Sequence, residues 1–360
     1  MITSARLLLL VALALVACDC SSTPEAPCRA DQIAAGFTTT WVLTSDQQAW
    51  RWGAWQLPTP ADVQPFLRPS RVDWLLPGTV QLGARNGLLC FLSANAELRC
   101  SYTLGQPTSE TPVIRDVSLV ALGTSVGGPE LSLDGCVLKK DGSVWCWAKP
   151  ADEVRPEDLA EQEPLGRDNV TIAVGGYQKC AVKTDGALWC WGAGILGDNT
   201  PEHATNQPPR QIPLPKPVMS VAAATRSTCA VTIDGAVICW GDEGGLPVLT
   251  PTLIDIVGVK ALTMGHDHAC ALKQDGTVWC WGNDNYGQLG FSRPHPESPW
   301  AEPGIVAGIG NDVTLVVAGY DHTCARRSDA SVWCWGSSRA GQAGTEEIQN
   351  PTPAPIRGCR

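Results

Sequence analysis

The sequence predicts an all-β protein, a seven-bladed β-propeller with four-stranded blades and disulfide-stapled hairpins. Three observations predict this fold. The 360 residues include 36 glycines and 28 prolines, which separate short apolar runs and favour many short strands over helices. One hairpin motif begins at residues 41, 90, 136, 180, 229, 270 and 324, a spacing typical of propellers. Six of these copies carry two cysteines at one fixed spacing.

The clearest copy of the motif runs from Cys180 to Gly192 and reads Cys-Ala-Val-Lys-Thr-Asp-Gly-Ala-Leu-Trp-Cys-Trp-Gly. Its Asp-Gly pair indicates a tight turn, because glycine adopts positive φ without steric cost. A three-residue loop makes Lys183 face Ala187, and the same register puts Cys180 opposite Cys190. Cross-strand Cα separations of about 4.5–5.5 Å suit a disulfide. We therefore predict that a disulfide staples each such hairpin.

The cysteines of the motif occur in pairs or not at all. The first copy has Trp41 and Arg51 at the two positions, and the other six copies have both cysteines. Six independent thiols or metal ligands would not be lost in pairs, and no CxxC or CxH cluster indicates zinc. The predicted hairpin disulfides are Cys90–Cys100, Cys136–Cys146, Cys180–Cys190, Cys229–Cys239, Cys270–Cys280 and Cys324–Cys334.

The two ends of the chain carry complementary parts of one repeat. The C-terminal stretch matches the internal segment 251–259, which ends where the next blade begins, and residues 30–36 match the segment that follows it. We expect the termini to meet in one shared blade, because ring closure removes exposed sheet edges. A disulfide between Cys28 and Cys359 would lock this closure. Cys20 then remains free or forms an intermolecular disulfide.

The N-terminus predicts export and a lipid anchor. Arg6 precedes the apolar run Leu7–Ala17, which is too short to span a bilayer and has the pattern of a signal peptide. The end of the run resembles the lipobox of bacterial lipoproteins, which implies a diacylglyceryl group on Cys18. An ordinary secretory signal is the alternative. We expect a signal peptide at 1–17, a short tether at 18–29 and the propeller at 30–360.

The expected location is the bacterial cell envelope, with the lipid anchor in the outer membrane or at the cell surface, or release from the cell. The 16 cysteines of an exported chain imply an oxidising compartment. Without residues 1–17 the chain has 25 basic and 36 acidic residues, a net charge of −11. This charge repels phosphate backbones, so we expect no nucleic-acid partner. We expect a monomer that contacts the membrane through its anchor alone.

The last four copies of the motif resemble the RCC1 (regulator of chromosome condensation) repeat. Gly265, His268 and Cys270 are followed by an Asp-Gly turn, by Trp-Gly and by Gly287-Gln-Leu-Gly290, and a second close copy starts at Gly319. The resemblance covers roughly residues 30–359 and implies a seven-bladed propeller with four-stranded blades. The founding member is a nuclear exchange factor for a small GTPase. Export, acidity and disulfides argue against that activity here, whereas secreted bacterial RCC1-like proteins include a β-lactamase inhibitor, which makes a protein-binding face an expectation.

The conspicuous histidines and tryptophans are expected to be structural. His268 and His322 occupy equivalent positions in two repeats, and a catalytic pair would not recur with each blade. A metal site at His266 and Asp267 is disfavoured, because neighbouring residues of a strand point to opposite faces. No cofactor motif is present. Blade packing, rather than sugar stacking, is expected of the paired tryptophans Trp145/Trp147, Trp189/Trp191, Trp279/Trp281 and Trp333/Trp335.

Function is therefore sought in the segments that depart from the repeat. Such insertions map to loops and often to the binding face. The candidate contact residues are Trp55, Phe66 and Trp74 in one segment and Asp152, Glu157 and Glu161 in another. A blade-packing role and a solvated linker, respectively, are the alternatives. We expect a non-enzymatic module that binds a protein or a glycan; the alternative is an extracellular hydrolase or lyase with its site on one propeller face.

Overall fold

The computed structural model describes residues 28–54, 68–73, 78–85, 88–102, 113–123, 133–149, 159–162, 164–201, 203–243, 246–291, 300–345 and 347–359. The expected signal peptide and tether, with Cys18 and Cys20, lie outside the described residues. So do five of the candidate contact residues: Trp55, Phe66, Trp74, Asp152 and Glu157.

The described chain forms 27 strands in seven antiparallel sheets, which follow one another along the sequence. Blade 1 contains β1 (Gln32–Ala35), β2 (Thr40–Leu43), β3 (Ala49–Trp52) and β4 (Ser70–Val72). Blade 2 contains β5 (Thr79–Arg85), β6 (Leu88–Ser93) and β7 (Leu98–Tyr102). Blade 3 contains β8 (Val117–Leu122), β9 (Leu133–Lys139), β10 (Val144–Lys149) and β11 (Ala160–Glu161). Blade 4 contains β12 (Asn169–Val174), β13 (Gln178–Lys183), β14 (Leu188–Gly194) and β15 (His203–Ile212).

Blade 5 contains β16 (Val218–Ala223), β17 (Ser227–Thr232), β18 (Val237–Glu243) and β19 (Leu246–Ile254). Blade 6 contains β20 (Val259–Met264), β21 (His268–Lys273), β22 (Val278–Asn283) and β23 (Trp300–Ile305). Blade 7 contains β24 (Val313–Ala318), β25 (His322–Arg327), β26 (Val332–Ser337) and β27 (Gln349–Pro355). The predicted seven-bladed, all-β fold is confirmed. In blade 2 a single bridge between Leu98 and Ile114 stands where the other blades have their fourth strand.

The first strands of the blades contact one another around the ring, from β1 through β24 and back to β1. They therefore surround the propeller axis. Because consecutive strands are antiparallel, the loops after the first and third strands of every blade share one face, which we call the loop face. The Asp-Gly turns after the second strands and the connections between blades share the opposite face, which we call the turn face.

The hairpin register is the predicted one. Lys183 N–H donates to the carbonyl of Ala187, Gly186 has a φ of 82°, and Cys180 lies opposite Cys190. Alternation from the hydrogen-bonded 183–187 pair makes Cys180 and Cys190 a non-hydrogen-bonded pair, the closer type. Their Cα atoms are 4.1 Å apart, less than expected. All six predicted hairpin disulfides are present.

The ring closes at the connection between blades 7 and 1. Cys28 N–H donates to the carbonyl of Ile356 at 2.7 Å, and Val332 N–H donates to the carbonyl of Cys28 at 3.0 Å. A disulfide joins Cys28 to Cys359. The termini meet as expected, but the expectation of a shared blade is wrong, because all four strands of blades 1 and 7 come from continuous segments. The sequence repeats were aligned on their hairpins, and such an alignment does not show at which strand a blade begins.

The core lies between the blades. The second tryptophan of each predicted pair is buried, and so are Trp52 and Trp240 at the same position of blades 1 and 5. The first tryptophan is half-buried, and in four blades a Lys or Arg of the preceding strand lies 5.0–5.5 Å from its ring centroid. Packing is therefore the observed role of both tryptophans.

Candidate functional site

In blades 1, 4, 5, 6 and 7 the loop after the first strand has the same frame, a main-chain hydrogen bond from its first residue to the carbonyl of the residue three positions later, around a variable centre. In blade 7 it reads Gly319-Tyr320-Asp321-His322, and in blade 6 Gly265-His-Asp-His268. An added Cβ on Gly319 would lie 2.1 Å from Cε1 of His322, so the ring of the histidine requires glycine there. The two central residues lie on the loop face; the first differs between these two blades, and the second is Asp in both.

The frame is held by hydrogen bonds between neighbouring blades. Nε2 of the buried His322 lies 2.8 Å from Oγ1 of Thr40 in blade 1. Thr40 donates its hydroxyl hydrogen to the carbonyl of Gln342 at 2.9 Å, so His322 donates from Nε2. The indole N–H of Trp52 donates to the same carbonyl at 2.9 Å. This set of contacts, which we call the inter-blade lock, ties blade 7 to blade 1.

Equivalent contacts tie two other pairs of blades. His268 Nε2 lies 3.0 Å from Thr323 Oγ1, and Thr323 donates to the carbonyl of Gln288 between blades 6 and 7. Between blades 4 and 5, Gln178 takes the place of the histidine and reaches Thr228 at 3.2 Å. The structural role predicted for the two histidines is therefore observed, and the bonds run between blades.

Three rings from three blades form a row beside the axis on the loop face. The ring centroids of Phe37 and Tyr320 are 4.1 Å apart, and those of Tyr320 and His266 are 4.0 Å apart. Main-chain bonds hold the row in place, because His266 N–H donates to the carbonyl of Tyr320 and Tyr320 N–H to that of Gly36. Burial raises the pKa of the Tyr320 hydroxyl to about 12, so the side chain stays neutral.

Two carboxylates accompany this aromatic row. Oδ2 of Asp267 lies 2.7 Å from Nδ1 of His266. Burial raises the pKa of Asp321 to about 6; nearby Asp267 adds to the shift, and His266 and Arg339 oppose it. Among the residues that the structure describes, no group of three His, Cys, Asp or Glu side chains could hold a metal ion.

Two arginine–tyrosine pairs also lie on the loop face, one between blades 6 and 7 and one between blades 4 and 5. The guanidinium of Arg339 lies 4.5 Å from the ring centroid of Tyr286, and that of Arg226 lies 5.7 Å from the centroid of Tyr177. Arg226 also pairs with Asp242 at 3.0 Å, a contact that raises its pKa. Three of the four tyrosines of the chain are thus on this face.

Glu161, the one candidate contact residue within the described ranges, is not part of this region. It lies opposite Trp145 in blade 3 and pairs with Arg167 at 3.2 Å. Arg167 also contacts Asp141 at the Asp-Gly turn, beside a polar cleft of about 360 Å³ on the turn face. The prediction that insertions carry the contact surface thus gains no support from Glu161. The described ranges contain no helix that is long and apolar enough to cross a membrane.

Comparison with known proteins supports the fold and the repeat. Two family models, both described as regulator of chromosome condensation (RCC1) repeat, match: one covers residues 259–288 and 313–342, the other 275–326. The protein is an RCC1-like β-propeller. None of the curated proteins compared with it matches.

Solved structures resemble this RCC1-like propeller over most of its length. Human WBSCR16 is 17% identical, with a TM-score of 0.63 and coverage of 88% of this chain and 96% of that one. The structure of yeast RCC1 (Prp20) with Kap60 is 18% identical, with a TM-score of 0.55 and coverage of 91% and 75%. Prp20p from Saccharomyces cerevisiae is 18% identical, with a TM-score of 0.54 and coverage of 91% and 77%. At these identities the likeness concerns the fold.

Proposed function

We propose that this propeller is a non-enzymatic binding module of the bacterial envelope whose partner is a protein bound on the loop face. The observation that carries the proposal is the concentration of tyrosine, arginine and phenylalanine at the variable positions of that face. Tyrosine and arginine are the residue types that most often dominate the energetics of protein interfaces. The repeat does not require them, since each blade has different residues there.

A protein fits this face better than a glycan. Sugar-stacking platforms need an aromatic ring with an open face. Here Arg226 covers the ring of Tyr177, Arg339 covers that of Tyr286, and Tyr320 is stacked against His266. The fold is also consistent with protein binding. The yeast RCC1 structure contains bound Kap60, and Prp20p, which has the same fold, binds Gsp1p and histones.

The test is capture of partners from the native envelope by the tagged mature protein and two double variants. Arg226→Glu with Arg339→Glu reverses two exposed charges on the loop face. Arg167→Glu with Lys216→Glu is the matched control, because these side chains are similarly exposed on the turn face. We expect one partner to be recovered by the wild type and the control and lost with the loop-face variant. Equal recovery by all three, or capture of glycan alone, would contradict the proposal.

The anchor is tested separately. We propose that Cys18 carries the lipid and holds the protein in the envelope. The intact mass of the mature protein should show an acylated N-terminal Cys18, and Cys18→Ser should move the chain from the membrane to the soluble fraction. A mature N-terminus other than Cys18 would mean that the signal is an ordinary secretory one.

One observation favours the enzymatic alternative: a carboxyl with a pKa of about 6, Asp321, lies near a second carboxylate and a histidine. Such perturbed groups are typical of acid–base catalysts and also of structural clusters. Hydrolysis of envelope material that is abolished by Asp321→Asn, with the fold intact, would support a hydrolase or lyase. The same hydrolysis in both proteins would assign it to a contaminant.

A further inference from the structure

Exposed aliphatic side chains of the described residues are concentrated on the turn face. The six large ones are Val170, Ile233, Leu253, Val257, Ile305 and Ile348. Five of them lie at turns, blade connections or strand ends of the turn face in blades 4 to 6. Ile348 is the exception: it lies on the loop face, directly before β27. Among the residues that the structure describes, the large exposed aliphatic side chains are thus unevenly divided between the two faces.

Blade 5 carries the centre of this patch. Ile233 occupies the turn position that is Lys140 in blade 3, Gln274 in blade 6 and Ser328 in blade 7. Val257 lies in the connection to blade 6, which contacts the same turn through a hydrogen bond from Val259 N–H to the carbonyl of Gly235. Ile233 is 64% exposed and Val257 67%. An exposed isoleucine therefore stands at a turn position that is polar in five of the other six blades.

The N-terminal end of the described chain enters the ring on this same face. Cys28 is fixed there by its disulfide to Cys359 and by its hydrogen bonds at the connection between blades 7 and 1. Nine residues lie between Cys18 and Cys28, and the ten Cα–Cα steps that join them reach at most about 35 Å. A lipid on Cys18 would keep the turn face within that distance of a bilayer. Because such a tether raises the effective concentration of the turn face at the bilayer, even a weak contact between the two becomes populated.

We propose that the turn face docks on a lipid bilayer through the aliphatic side chains of blade 5, with Ile233 and Val257 inserted among the headgroups. This inference rests on the proposed anchor at Cys18, and it replaces the expectation that the anchor is the sole contact with the membrane. With the turn face on the membrane, the opposite loop face points away from the membrane and is open to its partner. Lys216 and Asp234 form an ion pair beside Ile233, so the contact does not depend on anionic lipid.

Hydrogen exchange of the lipidated protein in nanodiscs of zwitterionic phosphatidylcholine tests the proposal. We expect amides of segments 232–236 and 255–259 to exchange about fivefold more slowly than in the soluble Cys18→Ser chain, and the loop segment 319–322 to be unchanged. Ile233→Lys with Val257→Lys should abolish the protection. Ile348→Lys is the matched control, because Ile348 is 65% exposed on the other face, and it should keep the protection.

The outcomes separate this inference from the proposed function. An acylated, membrane-bound protein without protection of the two segments would overturn the docking and leave the anchor and the loop-face partner intact. Protection that survives in the double lysine variant would also overturn it. Protection that appears in buffer and grows with protein concentration would identify a second copy of the chain as the occupant instead. Without acylation of Cys18, the mature protein coupled to a maleimide lipid tests the docking on its own, and loss of protection there would refute it.

Discussion

The disulfide that closes the ring should contribute more to stability than any hairpin disulfide. Cys28 and Cys359 are 331 residues apart in sequence, whereas Cys180 and Cys190 are 10 apart. In the chain-entropy model the cost of removing a disulfide grows with the logarithm of the loop that it closes. For these two loops the model gives about 6 and about 3 kcal/mol at 25 °C. The six short hairpin loops hardly shorten the long one.

The comparison uses two double variants, Cys28→Ala with Cys359→Ala and Cys180→Ala with Cys190→Ala. All four side chains are buried, so each variant loses similar packing, and the difference reports loop entropy. Urea unfolding without reductant, followed by tryptophan fluorescence, gives the free energy of unfolding. The ring-closing variant should unfold at the lower urea concentration, about 3 kcal/mol less stable than the hairpin variant. Equal stability of the two, or a less stable hairpin variant, would refute the argument.

Three further predictions concern the inter-blade contacts and the buried carboxyl. Thr40→Val should lower the free energy of unfolding by about 1–3 kcal/mol, because it removes the hydrogen bond from Nε2 of the buried His322 and one of the two hydrogen bonds to the Gln342 carbonyl. Thr228→Val should cost less, because its glutamine partner also bonds main-chain carbonyls; equal costs in urea unfolding would contradict this. Trp335→Phe should cost about 1 kcal/mol more than Trp240→Phe, because the Trp335 indole N–H donates to a carbonyl at 2.8 Å, whereas that of Trp240 has no acceptor among the described residues. Asp321→Asn should stabilise the protein at pH 8 and leave its stability at pH 4 unchanged. Its raised folded pKa means that wild-type stability falls as the pH rises from about 4 to 6, by at most about 3 kcal/mol; a profile unaltered by the substitution would contradict this.

The local parts of the fold were predictable, because they depend on residues close in sequence. A turn at Asp185-Gly186 and cysteines at positions 180 and 190 fix a register without knowledge of the rest of the chain. The recurrence of that hairpin gives the number of blades. Blade boundaries were not predictable in the same way, because an alignment of hairpins can be cut anywhere between them. The shared blade was expected for that reason.

The loop-face cluster was missed because its members meet only after the ring has closed. Phe37 and Tyr320 are neighbours in space although nearly the whole chain lies between them, and Tyr320 reaches His266 from the adjacent blade. The sequence prediction placed the contact surface in the inserted segments, whereas the loops of this cluster have the ordinary length of the repeat. A signal was present nonetheless: between the same glycine and histidine, the first of the two central residues is His266 in blade 6 and Tyr320 in blade 7.

The inter-blade lock explains why those two residues are free to vary. The glycine before them is fixed by the histidine ring that packs on it, and the histidine is fixed by a threonine of the next blade. Backbone position on the loop face is thus set by residues whose side chains point away from it. Replacing Tyr320 or Asp321 changes the chemistry of the surface without removing a hydrogen bond of the lock. A repeat built in this way can carry any recognition surface, and so the partner must be inferred from the variable pair and not from the propeller.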